Sequence, residues 1–111
     1  EPAEDEEQLE FYGSASNGPI DWRMNGKVNP IKNQQGCGSC WAFSAIASVE
    51  SMVAIKRGKL LTLSEQQVVD CSSSNGGCRG GWYYSAWIDM QKLGGYEAES
   101  AYPYTGRDGN C

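Results

Sequence analysis

The sequence predicts a small, mainly helical domain stapled by disulfides. Three observations carry that expectation. Apolar residues recur at helical spacing in three separate segments. No segment alternates strongly enough to read as a strand. Five cysteines sit in only 111 residues, a density that favours two bridges and one free thiol in an oxidising compartment.

Residues 1–15 read as an acidic lead-in, a flexible end or a propeptide remnant, and residues 16–111 as the folded domain. The first ten residues hold six acids and no base, whereas the other 101 hold eight acids and nine bases. The net charge of −5 therefore belongs to the lead-in. No basic stripe suggests a nucleic-acid partner. No apolar run approaches the roughly 20 residues that span a bilayer, so no membrane segment is expected. The chain opens without Met or a secretory leader and is expected to be a processed or trimmed form.

After this lead-in, Asn25-Gly26 and Asn29-Pro30 mark turns, and the polar, glycine-rich run from Asn33 to Ser39 is a loop. A first helix opens at Cys40. Ala42, Ile46, Val49 and Val53 repeat at helical spacing, and Lys56-Arg57-Gly58 is a stop signal. Its start is apolar on most sides, which predicts a buried central helix. A second helix begins at Ser64, with Gln67 three places on completing a capping box, and runs to Cys71. Ser72 to Gly81 is a second loop. A third helix places Trp82, Ala86, Met90 and Leu93 on one face and ends at Gly94-Gly95. The stretch from Tyr96 to Cys111 is aromatic and turn-rich, without a period.

The sharpest chemical signal is the run Gln34-Gln35-Gly36-Cys37-Gly38-Ser39-Cys40-Trp41-Ala42-Phe43. Cys40 stands where a glycine-rich loop meets a helix start. Partial positive charge and unpaired N–H groups at such a start favour a thiolate, the form that attacks carbonyl carbon. The same N–H groups can hold an oxyanion, and the Gln34 amide just upstream offers a second donor. Trp41 is placed to cover the apolar side of the thiol. Two other readings stay open on spacing alone. Cys37-Gly38-Ser39-Cys40 is a C-x-x-C that fits a dithiol redox pair, although that motif expects strands around it. It is also half of a zinc site, if Cys71 and Cys78 supply the rest.

Cys37-Gly38-Ser39-Cys40-Trp41 resembles the nucleophile signature of papain-type and cathepsin-type cysteine proteases. The resemblance spans nearly everything after the acidic lead. Asp21-Trp22-Arg23 is similar to the family's mature amino-terminal region. Leu63-Ser64-Glu65-Gln66-Gln67-Val68-Val69-Asp70-Cys71 is similar to its second helix. Gly77-Cys78-Arg79-Gly80-Gly81 resembles its substrate-binding loop, and Tyr102-Pro103-Tyr104 the segment before its closing cysteine. The resemblance implies the α+β papain-like fold, of which this chain would be the mainly helical left domain with about three helices and two disulfides.

The resemblance also assigns roles. Cys40 matches the nucleophile and Gln34 the oxyanion-hole glutamine. Cys37 matches the partner of Cys78, and Cys71 the partner of Cys111. Gly80 and Gly81 match positions that pair with an extended peptide substrate, and Trp82 and Tyr83 match residues lining its side-chain subsites. Glu50 matches a buried structural acid. Three positions depart from the family pattern: Gln35 replaces a usual glycine, Arg79 stands where asparagine is common, and Tyr83 is bulkier than expected. No metal or cofactor is implied.

The family's histidine and asparagine lie about 130–150 residues beyond the nucleophile. The sequence holds no histidine and ends at residue 111. The resemblance thus implies a cysteine endopeptidase that cleaves peptides or proteins through an acyl-thioester on Cys40. It would take its base from a second chain or segment carrying the histidine and asparagine of the β-rich right domain. The 111-residue chain alone is expected to be inactive. The alternative is an inert structural or binding module derived from such a protease. A lysosome-like, vacuolar or secreted setting, with a zymogen stage, goes with the family.

Overall fold

The computed structural model describes residues 19–111. The acidic lead-in over residues 1–15 lies outside them. Among the described residues three α-helices carry the architecture: α1 (Cys40–Arg57), α2 (Glu65–Cys71) and α3 (Tyr83–Leu93). Single 3-10 turns at Trp22–Asn25 and Gly77–Arg79 punctuate the connections.

Helix α1 packs against both α2 and α3, so it is the central helix that its apolar start predicts. Its buried face is built from Trp41, Ala42, Ala45 and Ile46, joined by Leu63, Val68, Val69, Ala86 and Met90. Alanines on α1 and α3 let the helix backbones approach closely, while Ile46 and Met90, each 0% exposed, fill the space between. The helix ends where Gly58 donates its N–H to Ala54 O at 2.9 Å.

The short helix α2 is tied down by polar bonds as well as by its buried Val68 and Val69. Ser64 Oγ accepts from Gln67 N at 3.0 Å, which is the expected N-cap. The reciprocal half of the capping box does not form. Ser64 N donates instead to Glu97 O at 3.0 Å, and Gln67 Oε1 accepts from Glu97 N at 2.7 Å. A tertiary strand-like segment thus outcompetes the local motif. That segment makes an isolated antiparallel bridge, Leu63 to Ala98.

In α3 the expected face is only half right. Ala86 and Met90 are buried, but Trp82 is 60% exposed and Leu93 50% exposed. Trp82 is the N-cap residue with extended backbone, so it precedes the first helical turn and leaves the helix face.

Both disulfides are present: Cys37 to Cys78 and Cys71 to Cys111. They close loops of 41 and 40 residues in sequence separation. The chain-entropy model assigns each about 4 kcal/mol. Behind α1, Lys32 Nζ sits 2.6 Å from Glu65 Oε2 and 3.3 Å from Glu50 Oε2. Glu50 Oε2 also accepts from Leu63 N at 2.7 Å, so this buried acid is structural. Burial pulls the Lys32 ammonium down, but the two carboxylates outweigh it and hold its pKa above the usual value. Burial raises the Glu65 carboxyl above its ordinary range, against the opposing pull of Lys32.

Candidate active site

The site assembles where the Asn33–Ser39 loop delivers the chain into α1. Cys40 is the first helical residue, exposed, and the one free cysteine. Cys37 is committed to Cys78, so Cys37 and Cys40 do not form a redox pair. The other three cysteines are also bonded, which removes the zinc reading; among the described residues no acidic, cysteine or histidine cluster can hold a metal.

The residue before Cys40 is unusual for a helix cap. Ser39 is fully buried, yet its hydroxyl makes no capping bond to the helix. Its carbonyl accepts from Ala42 N at 2.9 Å and Phe43 N at 3.1 Å. The first-turn N–H groups of Cys40 and Trp41 keep their partial positive charge directed at the loop. Gln34 Nε2 donates to Cys37 O at 2.9 Å. An amide nitrogen carries two protons, so one fixes the side chain against the loop and the other remains for a ligand. Trp41, expected to cover the thiol, belongs to the core, and its indole N–H donates to Gly77 O at 3.0 Å.

That indole bond and the Cys37–Cys78 bridge carry the second loop to the first. Gly38 N donates to Cys78 O at 2.8 Å, and a Cβ at Gly38 would lie only 2.5 Å from that oxygen. Glycine is therefore required where the two backbones meet. Cys78 N in turn donates to Asp108 Oδ1 at 2.8 Å. Gly80 O accepts from Gly76 N at 2.9 Å, which closes the loop on itself. The N–H and C=O of Gly81 make no hydrogen bond among the described residues. They are available to an extended backbone.

Gly81 has a second constraint that its sequence context did not reveal. A Cβ there would sit 2.6 Å from Asn75 Oδ1, and that oxygen accepts from Trp82 N at 2.7 Å. Beyond it, Trp82 and Tyr83 stack with ring centroids 5.2 Å apart, and Tyr83 meets Trp87 edge-on at 5.0 Å. Trp82 at 60% and Tyr83 at 39% exposure form an aromatic shelf beside the loop. Gln35, the residue in place of a usual glycine, adopts φ +60. A non-glycine residue in that left-handed region is strained.

Four residues of the network were assigned no role from the sequence. Asn75 and Asp108 hold the glycine loop, Ser39 sits beside Cys40, and Tyr104 reaches Ser39 and Gln34 from 65 and 70 residues away. The Cys37-Gly38-Ser39-Cys40-Trp41 and Tyr102-Pro103-Tyr104 resemblances pass through Ser39 and Tyr104; nothing pointed to Asn75 or Asp108.

Residues 17–111 match the family model for papain family cysteine proteases. Zingipain-2 of Zingiber officinale is 56% identical over 92 residues, covering 83% of this chain and 42% of that protein. Digestive cysteine proteinase 2 of Homarus americanus is 47% identical over 107 residues, covering 91% of this chain and 33% of that protein. Among solved structures, a cysteine protease that is a major ragweed pollen allergen, in its proform, superposes with a TM-score of 0.81 at 47% identity, covering 83% of this chain and 29% of that one. A recombinant stem bromelain precursor gives 0.80 at 48% identity, covering 86% and 32%. The chain spans less than half the length of these relatives, and the part it matches is the mainly helical, disulfide-bridged part of their fold. The chain belongs to the papain family of cysteine proteases.

Proposed function

We propose that this chain supplies the nucleophile and oxyanion half of a cysteine endopeptidase, with peptides or proteins as substrates. One observation carries the reading: the sole free thiol, Cys40, stands exposed at the start of α1, at the end of the loop that the Gln34 amide braces at Cys37 O, while the four other cysteines are bridged.

In this reading a substrate strand pairs with Gly80 and Gly81, and its side chains rest on Trp82 and Tyr83. The Cys40 Sγ attacks the scissile carbonyl carbon. Negative charge gathers on the carbonyl oxygen and is met by the free Gln34 N–H and the first-turn N–H groups of α1. The C–N bond breaks, the amine leaves with a proton, and an acyl-thioester remains for water to hydrolyse. The amine's proton must come from a general acid. The sequence has no histidine, so the proton donor sits on a complementary segment together with its orienting asparagine. Two bridges also support an oxidising setting, whether lysosome-like, vacuolar or secreted.

The test is a peptidase assay on the chain with and without a complementary segment from a family member, with Cys40→Ala as control. Turnover is expected only with the segment and only with Cys40 present. Cys40-dependent turnover by the chain alone would refute the need for an outside base. No turnover in the reconstituted protein would favour an inert binding module.

A further inference from the structure

We propose that Tyr104 is a positioning residue for the Cys40 site: its hydroxyl holds the backbone of Gln34 and draws the Ser39 hydroxyl away from the start of α1. The proposal rests on reading Cys40 as nucleophile and Gln34 as oxyanion donor.

Tyr104 is itself well placed. Its ring meets Phe43 edge-on with centroids 5.0 Å apart, and its N–H donates to Glu99 Oε2 at 3.1 Å. The hydroxyl then lies 2.5 Å from Gln34 O and 2.8 Å from Ser39 Oγ. Each hydroxyl has one proton. A carbonyl only accepts, so Tyr104 donates to Gln34 O and must accept from Ser39. That direction commits the Ser39 proton. The competing Ser39 contact, to Cys37 O at 3.4 Å, is much longer.

Two consequences follow. The hydroxyl ties both ends of the Gln34–Ser39 loop to one rigid point, which fixes the carbonyl of the residue whose amide faces the oxyanion. It also keeps a serine at the N-cap position from doing what serine does there by default. Free to rotate, Ser39 Oγ would accept from the Trp41 N–H and offset the positive end of the helix. Tyr104 thus preserves an uncapped helix start under the thiol.

The experiment measures the alkylation rate of Cys40 by iodoacetamide, with the Cys40→Ala protein as background, since the four other cysteines of this chain are bridged. The protein is the reconstituted one of the preceding test. Tyr104→Phe keeps the ring on Phe43 and removes only the hydroxyl. Its rate is expected to fall three- to tenfold, with helix content by circular dichroism unchanged. Adding Ser39→Ala, which removes the competing cap, should restore the parental rate. A Tyr104→Phe rate equal to the parent's would overturn the proposal, as would a loss that Ser39→Ala leaves in place. If Tyr104→Phe lost helix content, Tyr104→Leu, which also removes the hydroxyl and offers no polar group, replaces it under the same criteria. Peptide turnover is the separate readout: kcat should fall about tenfold with KM within twofold. A parent without Cys40-dependent turnover refutes the enzyme reading, and the alkylation series still decides the role of Tyr104.

Discussion

The two ends of α1 are built by different rules. At the Cys40 end, Trp41, Ala42, Ala45 and Ile46 are buried, a disulfide stands three residues upstream, and side-chain bonds arrive from both flanking loops. At the Arg57 end, Met52 is 53% exposed and Ile55 41% exposed, and beyond its own backbone the last turn is held by buried Ala54 and by Lys27 Nζ, which donates to Ala54 O at 3.1 Å. The chemistry proposed for Cys40 sits at the end with the tighter covalent and hydrogen-bonded support. A thiol, an amide and a helix start act together only if their separations hold to a fraction of an ångström. The other end has no such duty, and its sequence leaves apolar residues in water.

Removing the staple should break this contrast most strongly. Cys37→Ser with Cys78→Ser is expected to cost about 4 kcal/mol by the chain-entropy estimate. Chemical denaturation would measure it, and a loss below about 1 kcal/mol would show that the polar contacts alone fix the nucleophile end. Next comes a pair of matched truncations. Ile46→Ala, at a site with no exposure, should cost about 3 kcal/mol, whereas Ile55→Ala should cost under about 0.5 kcal/mol. Equal losses in the same denaturation series would erase the distinction between the ends.

The smallest effect sharpens the comparison at mid-helix, where Glu50 and Glu65 share Lys32. Glu65 has a folded pKa above its unfolded value, so the folded state binds a proton more tightly there. Its contribution is fully present below the unfolded pKa of about 4.5 and is lost as pH rises through the folded value. Glu65→Gln removes that titration. The melting temperature of the variant, relative to the parent, should therefore climb as pH rises from about 4.5. A flat or falling difference would mean that Lys32 controls Glu65 more than burial does.

The helices were legible because each announces itself locally: Lys56-Arg57-Gly58 stops α1, Ser64 caps α2, and Gly94 ends α3. The pairing of Cys37 with Cys78 and Cys71 with Cys111 was not legible from spacing; it came from the family resemblance. What the sequence hid was contact between distant segments. Gln67 looked like the second half of a capping box, yet Glu97 claims its side chain. Trp82 fell on the apolar face of a helical wheel, although the helix starts one residue later. Tyr104 and Asp108 reach the site from the turn-rich final stretch, where no period gives warning. Gln35 was legible as a departure, and its φ of +60 shows what a glycine would relieve there.

The two bridges interleave along the chain, in the order 37, 71, 78, 111. Residues 72–77 therefore lie inside both covalent rings. A proteolytic nick in that stretch leaves two pieces still joined by both disulfides. A nick between 41 and 70 leaves only the Cys37–Cys78 bridge across the cut, and one between 79 and 110 leaves only Cys71–Cys111. The loop leading into Gly80 and Gly81 is thus the one segment whose scission is covalently insured twice.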